Sequence, residues 1–403
     1  MSRFQAILIT IVLGGCATMG GSSGDLPLPM ASSPESVGIS SQKLAEIEAV
    51  TQKHIDAETV AGAVMLVARK GQIAWLKAMG YRDRPAKDPM RPDAIFRIYS
   101  MTKPIVTVAA MMQVEEGKLA LDDPVSKYLP ELAGMRVGTE KSEPQRPMTV
   151  LDLMRHTSGL VYGGTHPVNA GYRGVLARDI DNKAAVSRIA KLPLKFSPGE
   201  RFEYGVSVDV LGRVVEVIDG EPLGRVLERR ILEPLDMRDT AFFLPPEKVA
   251  RAAEQAQKPG AKPMTVRWSV AEKPALESGG GGLLSTTRDY LRFCLMLANG
   301  GQLEGKRILK PETIALMTRD HLGAIPGRSE GGFGLGFAVS KAGGDPIKSG
   351  MAGEYGWPGN AGTLFFIDPK REVIAIYMIQ VSDEHRVALR NEWRSMVRAA
   401  VVD

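Results

Sequence analysis

Sequence patterns typical of β-strands occur near both ends of the chain, and the long stretch between them is mostly helical in pattern. Near the N-terminus, two apolar runs at 61–68 and 72–78 flank Arg69-Lys70-Gly71, which indicates a hairpin. Near the C-terminus, runs at 362–367 and 373–379 flank a second polar turn. The chain is therefore expected to adopt an α+β fold. One antiparallel sheet, flanked by helices, would be built from both ends of the chain, with a mostly helical lobe inserted.

The length of 403 residues exceeds what one ordinary core needs, so two packed lobes are expected. We assign residues 35–103 and 326–403 to an α/β lobe, and residues 104–325 to a helical lobe. The net charge of +5 is spread along the chain without a basic block. This pattern argues against a nucleic-acid partner, which would favour a basic stripe.

The N-terminus has the pattern of an export signal. Arg3 precedes an apolar run at 4–13 that is too short to span a bilayer, which takes ~20 residues. Leu13-Gly14-Gly15-Cys16 resembles a bacterial lipobox. Residues 1–15 are thus predicted to be a signal peptide and 16–34 a flexible tether lipidated at Cys16. The protein would be an exported envelope lipoprotein, anchored to the membrane and facing the periplasm. A plain secretory signal and a fortuitous apolar start are the alternatives.

The pair Ser-x-x-Lys occurs twice, at Ser40–Lys43 and at Ser100–Lys103. Ser40 begins an amphipathic helix pattern and is explained as a helix cap. Ser100 precedes an almost wholly apolar helix pattern at 104–112, which predicts a buried helix. Residues i and i+3 share a helix face, so the Lys103 amine can reach the Ser100 hydroxyl. The pair is a candidate nucleophile and base, and a capping serine beside a solvated lysine is the alternative.

Four consecutive glycines, Gly279 to Gly282, come shortly before another helix pattern. A phosphate-binding loop would continue with a Lys-Ser/Thr pair, which is missing here. The run therefore indicates a close approach of backbone segments. The five histidines are scattered, so no metal or cofactor is implied.

Several segments together resemble one known family. Phe96-Arg-Ile-Tyr-Ser-Met-Thr-Lys-Pro is similar to the nucleophile segment of class C β-lactamases and their esterase relatives. The likeness continues through residues 151–160, 196–207, 278–300 and 353–363, in the expected order, and covers roughly residues 35–400. The chain is identified as resembling the family VIII carboxylesterases of the serine β-lactamase and penicillin-binding-protein superfamily.

The resemblance implies roles for particular residues. Tyr204 would be the partner base, with Tyr99 and Tyr162 as alternatives. Trp357-Pro358-Gly359 resembles the Trp-Gly-Gly element of the esterases, and a rival match, Lys348-Ser349-Gly350, fits the Lys-Thr-Gly form of the peptidases. We favour Trp357, because it comes only a few residues before a core strand pattern, and expect its ring to form an aromatic wall for an uncharged group. Pro358 is expected to disturb the strand, since proline cannot donate to a ladder.

The activity that the resemblance implies is hydrolysis of short-chain carboxylic esters through an acyl-enzyme on Ser100. Trp357, Gly359 and Asn360 would bind substrate, and backbone N–H groups of Ser100 and Asn360 would hold the oxyanion. Val206 stands where the β-lactamases carry an amide, which favours esters. A β-lactamase or D-Ala-D-Ala peptidase, an acyltransferase and a catalytically silent envelope binding protein remain alternatives. The expected partners are a small ester and the membrane, and the sequence leaves the oligomeric state open.

Overall fold

The computed structural model describes residues 26–255, 269–328, 331–342, 350–381 and 385–402. The helices are α1 (Ser41–Asp56), α2 (Thr102–Glu115), α3 (Val150–Met154), α4 (Pro167–Gly171), α5 (Asn182–Ile189), α6 (Ser207–Asp219), α7 (Leu223–Leu227), α8 (Pro246–Val249), α9 (Thr287–Ala298), α10 (Pro311–Met317) and α11 (Arg386–Ala400). The strands are β1 (Gly62–Arg69), β2 (Gln72–Asp83), β3 (Asp88–Pro89), β4 (Phe96–Arg97), β5 (Leu284–Ser285), β6 (Gln302–Leu303), β7 (Lys306–Arg307), β8 (Gly332–Phe333), β9 (Ala338–Val339), β10 (Tyr355–Pro358), β11 (Leu364–Asp368) and β12 (Val373–Ile379). The predicted signal peptide, Cys16 and the pair Lys348-Ser349 lie outside the described residues.

Both ends of the chain contribute to the main sheet, as the sequence predicted. Among the described residues its strand order is β3-β2-β1-β12-β11-β10-β9-β8. β1 and β12 pair antiparallel at the centre, with Ala63 opposite Ile379 and Arg69 opposite Val373. The predicted α+β fold with an antiparallel sheet is confirmed.

The two central strands are almost entirely apolar because both faces of the sheet are covered. Successive side chains on a strand point to opposite faces. Val64 and Leu66 accordingly join the core beneath α2, α6 and α9, while Met65 and Val67 join a second core beneath α1 and α11. In the second core the rings of Tyr377 and Trp393 stack at 4.8 Å.

Helix α2 is buried on every side, as its apolar sequence predicted. Its first two turns, through Ala110, are fully enclosed, and it packs against α6. Helix α9 lies inside the segment assigned to the helical lobe, yet Tyr290 on α9 contacts Phe365 on β11 with ring centroids 4.9 Å apart. The assignment of lobe boundaries stays a prediction. Within the described ranges, no helix is long and apolar enough to cross a membrane.

Candidate active site

Ser100 lies in a 3-10 turn, Tyr99–Met101, that leads directly into α2. The turn is held from behind because β4 pairs with β5 and the N–H of Ile98 donates to the carbonyl of Leu283 at 3.1 Å. Tyr99 has a φ of 45°, in the left-handed region that bulky residues rarely occupy. The fold therefore keeps a strained backbone next to Ser100, a feature that clusters at functional sites.

Lys103 is completely buried one helical turn beyond Ser100. Its Nζ lies 3.2 Å from Ser100 Oγ, 3.1 Å from the Tyr162 hydroxyl and 2.6 Å from the carbonyl oxygen of Gly280. These three contacts use every donor that an ammonium group has. The other Ser-x-x-Lys copy differs, since Ser40 Oγ accepts from the N–H of Lys43 and caps α1.

Tyr204 sits three residues before α6, and its hydroxyl donates to Ser100 Oγ at 2.7 Å. The same hydroxyl accepts from Trp357 Nε1 at 3.3 Å, and the Lys103 ammonium lies 4.5 Å from the ring centroid. The structure thus brings Ser100, Lys103 and Tyr204 into mutual contact. Of the two alternative tyrosines, Tyr162 contacts Lys103 instead of Ser100.

Two groups next to Tyr204 remain uncharged at neutral pH. Burial, followed by the positive charges of Lys103 and Arg328, holds the pKa of His156 well below its usual range. The ring of His156 lies 4.7 Å from that of Tyr204. Burial and the neighbouring Tyr204 raise the pKa of Tyr162 well above its usual range, so its hydroxyl stays protonated. His156 is a residue that the sequence reasoning missed.

The four-glycine run makes the close approach that the sequence predicted. A Cβ on Gly279 would lie 2.6 Å from the carbonyl oxygen of Val208, and one on Gly280 would collide with the carboxylate of Asp209. The Gly280 N–H donates to Asp209 Oδ1 at 3.0 Å, and burial raises the pKa of this carboxyl group. Because the loop is clamped on α6, the Gly280 carbonyl is fixed against Lys103.

Strand β10 carries the element that the resemblance singled out. The expectation that Pro358 disturbs the strand is wrong. Trp357 stays in register with Phe365, and Pro358 with Leu364. β10 pairs with β9 only at Tyr355 and Gly356, so Pro358 lies where that ladder has already ended. Its missing N–H therefore removes no bond on the β9 side.

Trp357 does not form the expected wall of the substrate site. Its side chain is buried, its N–H is directed at Tyr204, and it is not among the described residues that line the cavity at Ser100. Its ring packs against Tyr204 and Phe333, with centroids 5.3 and 5.1 Å away. The aromatic group thus supports Tyr204 from behind.

Gly359 brings the end of β10 against the nucleophile turn. An added Cβ would collide with Thr363 and with the carbonyl of Ile98, so only glycine fits. Its N–H donates to the Thr363 carbonyl at 2.8 Å, and its carbonyl accepts from Arg390 Nη1 at 2.8 Å. Both backbone groups are therefore occupied. The next residue, Asn360, lines the cavity at Ser100.

A cavity of about 770 Å³ opens in front of Ser100. Its reactive edge is formed by Ser100, Tyr162, Tyr204 and Asn360. Apolar side chains cover much of the rest, among them Tyr172, Val175, Leu176, Val206 and Leu276. The volume suits a small organic molecule. In the part of the chain that the structure describes, no group of three or more His, Cys, Asp or Glu residues could hold a metal ion.

Comparisons with known proteins agree on one family. A sequence model of the family described as "Beta-lactamase" matches residues 47–398. Protein Rv1367c of Mycobacterium tuberculosis is 36% identical over 354 residues, which are 81% of this chain and 87% of that protein. Esterase EstB of Burkholderia gladioli is 34% identical over 352 residues, which are 80% of this chain and 87% of that protein.

A solved structure is similar over nearly the same length. The protein described as "EstCE1, a hydrolase with promiscuous acyltransferase activity" superposes with a TM-score of 0.74 at 29% identity. The match covers 89% of this chain and 98% of that one. The similarity therefore spans most of the fold described above.

Proposed function

The chain belongs to the β-lactamase family, and on that premise we propose that it is a serine hydrolase that cleaves carboxylic esters through an acyl-enzyme. The observation that carries the proposal is the contact of Ser100 Oγ with both Tyr204, at 2.7 Å, and Lys103, at 3.2 Å. A serine hydroxyl is a weak nucleophile until a neighbouring group takes its proton.

In the proposed reaction Tyr204 first loses its own hydroxyl proton to solvent, and the resulting phenolate accepts the proton of Ser100 Oγ as that oxygen attacks the ester carbonyl. Lys103 supports the transfer because its Nζ touches Ser100 Oγ and lies over the Tyr204 ring. The proton then passes to the oxygen of the leaving alcohol. Tyr162 and the Gly280 carbonyl hold the amine of Lys103 in place through two further hydrogen bonds.

The negative oxygen of the tetrahedral intermediate would be held by the backbone N–H groups of Ser100 and Asn360. Asn360 suits this role because it lines the cavity, whereas the N–H of Gly359 is bonded to Thr363. Water then attacks the acyl-enzyme, with the same groups moving the proton in the opposite direction. This chemistry uses only residues of the chain.

Two features support esters over β-lactams and peptides. Val206 lies in the cavity lining where an amide side chain would recognise the acylamide of a lactam. A substrate amide buried beside Val206 would lose a hydrogen bond, at a cost of ~1–3 kcal/mol. One of the similar proteins is named an esterase and another a hydrolase. We expect short acyl chains, as the resemblance of the sequence to the family VIII carboxylesterases implies.

Acyl transfer to an alcohol is the second candidate. The solved relative is described as a hydrolase with promiscuous acyltransferase activity. The apolar part of the cavity, with Val175, Leu176 and Leu276, could hold an acceptor alcohol in place of water. Adding such an alcohol during ester hydrolysis and measuring the transferred product tests this candidate.

The test of the proposal is a set of initial rates on p-nitrophenyl esters of increasing acyl length, beside a chromogenic cephalosporin. We expect short-chain esters to be turned over about a hundredfold faster than the cephalosporin. The upper end of the ~1–3 kcal/mol cost of the hydrogen bond lost beside Val206 corresponds to this ratio, since each ~1.4 kcal/mol is tenfold in rate. Ser100→Ala should abolish both hydrolysis and labelling by a fluorophosphonate. Ser40→Ala is the matched control, because Ser40 is a helix cap in the same Ser-x-x-Lys pattern.

Three results would contradict the proposal. Labelling that persists in Ser100→Ala would remove Ser100 from the reaction. Cephalosporin turnover equal to ester turnover would favour a β-lactamase or peptidase, and its loss on Lys348→Ala would then assign the strand motif to Lys348-Ser349-Gly350. A wild-type protein that no serine probe labels would be the silent binding protein.

We also propose that the protein is a lipoprotein of the bacterial envelope that faces the periplasm, anchored at Cys16 after removal of residues 1–15. The support is the short apolar run and the Leu13-Gly14-Gly15-Cys16 sequence. The mature protein should sediment with membranes and carry lipid on Cys16. A Cys16→Ser variant that still sediments, or an unmodified cysteine in the intact mass, would refute this proposal.

A further inference from the structure

Lys103 is a completely buried amine whose three hydrogen-bond partners are neutral oxygen atoms. They are Ser100 Oγ, the Tyr162 hydroxyl and the carbonyl of Gly280. Within the described ranges no carboxylate forms an ion pair with Lys103. An ammonium group that has lost its hydration is costly to bury unless a negative charge lies nearby.

Asp209 on α6 is a buried carboxylate on the other side of Gly280. Its Oδ1 accepts from the Gly280 N–H at 3.0 Å and from the Ser278 hydroxyl. Its Oδ2 is buried and has no hydrogen-bond partner in the described part of the structure, so a proton on this oxygen would find no acceptor there. The contacts therefore suit an ionised carboxylate that is stabilised by a nearby cation as well as by its two donors.

Gly280 joins the ammonium group to the carboxylate. Lys103 Nζ lies 2.6 Å from the Gly280 carbonyl oxygen, and a Cβ added to Gly280 would lie 2.2 Å from Asp209 Oδ2. With standard bond lengths, these two contacts place the charges of Lys103 and Asp209 within about 9 Å of each other. A side chain at position 280 would push the carboxylate away, so the glycine permits the approach.

We propose that Asp209 is a positioning residue for Lys103: its buried negative charge balances the ammonium group, and its bond to Gly280 fixes the carbonyl that the ammonium group contacts. This inference rests on the proposed function, because the positive charge that Asp209 preserves is the one that supports the negative oxygen of Tyr204. Burial raises the pKa of Asp209, and the charge of Lys103 is the first of the influences that lower it.

The other titratable groups around the ammonium group do not supply a negative charge in the resting enzyme. Tyr162 faces it from the loop after α3, and burial raises the pKa of this tyrosine, so its hydroxyl stays protonated. The ring of Tyr204 lies 4.5 Å from the ammonium group. Beyond that ring lie His156, which is uncharged, and Arg328, which is a cation. Asp209 is thus the member of this cluster that is negative.

A double-mutant cycle in urea unfolding tests the charge pair without relying on activity. Asp209→Asn removes the charge and keeps an acceptor for the Gly280 N–H, and Lys103→Met removes the cation with a side chain of similar length. We expect Asp209→Asn to destabilise the wild type and to stabilise the Lys103→Met variant, because there the carboxylate is buried without its cation. The coupling should be about 20-fold in the unfolding equilibrium constant, as for unit charges at about 9 Å and an effective dielectric constant of ~20.

Glu216→Gln is the matched control for both measurements. Glu216 is a second buried carboxylate of α6, two turns beyond Asp209, and it pairs with Arg213 instead. Its substitution removes the same charge from the same helix. We expect Glu216→Gln to have the same effect on stability with and without Lys103→Met.

The pH profile of kcat/KM for p-nitrophenyl acetate, from pH 6 to 10, gives the second readout. Without the charge of Asp209, the amine of Lys103 should lose its proton at lower pH and then no longer support the negative Tyr204 oxygen. We expect Asp209→Asn to move the basic limb downward by about one pH unit, which is the same coupling expressed as a titration shift. Glu216→Gln should keep the wild-type limb, and KM should change little in either variant.

An Asp209→Asn substitution that destabilises both backgrounds equally would overturn the inference, because the carboxylate would then only hold the glycine loop. An unmoved basic limb in the folded variant would overturn it as well. If Asp209→Asn does not fold, the pH dependence of stability decides. Lys103→Met should lose stability relative to the wild type as the pH rises from 4 to 8, since the carboxylate then ionises without its cation, and parallel curves would refute the charge pair.

The proposed function fails by a different result. A wild-type protein that a fluorophosphonate does not label at Ser100 would overturn it, and with it the role of the charge pair in supporting Tyr204. A normal label at Ser100 together with an Asp209→Asn effect that is independent of Lys103 would overturn the inference alone.

Discussion

The hydrogen bond from Trp357 to Tyr204 can be removed without emptying the space behind the tyrosine. Trp357→Phe deletes the indole N–H that lies 3.3 Å from the Tyr204 oxygen and leaves a ring against Phe333. In the resting enzyme this bond is long and joins two neutral groups, so its loss should cost only ~0.5–1.5 kcal/mol of stability. When the Tyr204 oxygen becomes negative, the same bond is worth ~1.5–3 kcal/mol.

That difference should appear in kcat and not in KM, because only an interaction that strengthens in the transition state accelerates the reaction. The two ranges differ by ~1–1.5 kcal/mol, so we expect kcat for p-nitrophenyl acetate to fall roughly 5- to 13-fold, with KM within about twofold of wild type. Trp393→Phe is the matched control. Trp393 is equally buried, but its Nε1 has no hydrogen-bond partner in the described part of the structure. Unchanged kcat in Trp357→Phe, or a loss confined to KM, would refute this role.

Two further predictions concern stability. Glu354→Gln should lower the free energy of unfolding by ~3–5 kcal/mol, because it leaves two arginines of α11 largely buried without their shared carboxylate; a loss below ~1 kcal/mol in urea unfolding would contradict this. Burial raises the pKa of Asp289 to about 6, above its ordinary 3.8. Protonated Asp289 therefore stabilises the fold, fully below about pH 4, and this contribution is lost as the pH rises through 6. Relative to Asp289→Asn, the wild type should lose up to ~3 kcal/mol between pH 4 and 7, and parallel stability curves would contradict this.

The features that the sequence could predict are those that depend on a local pattern of residues. Hairpin signals at both ends of the chain predicted the strands of the sheet. Strands with apolar residues on both faces must be covered on both sides, and this is why helices flank the sheet. The i, i+3 spacing of Ser100 and Lys103 predicted their contact, because a helix fixes that geometry. The four glycines predicted a close approach, since a run of residues without Cβ is otherwise costly.

The remaining features depend on contacts between distant segments. The sequence could not predict that Trp357 would face Tyr204 instead of the substrate, because this follows from how β10 packs against the loop before α6. His156 is a lone histidine with no spacing that marks it. Arg390 looks like any basic residue of an amphipathic helix, and only the packing of α11 against the end of β10 brings it to the carbonyl of Gly359.

The pairing of β1 with β12 has a consequence for the order in which the protein can form. Ala63 finds Ile379 only after some three hundred further residues have been synthesised, so the centre of the sheet is a contact of very high sequence separation. Such contacts form late, because the conformational entropy of closing the long loop is lost before the contacts between the strands stabilise the chain. Ser100 follows β1 in the sequence, whereas Trp357 and Asn360 come just before β12. A nascent chain therefore contains the nucleophile long before the residues that contact Tyr204 and line the cavity have been synthesised. Esterase activity should thus appear only when translation has delivered the last strand, and a chain interrupted before β12 would carry an inert serine.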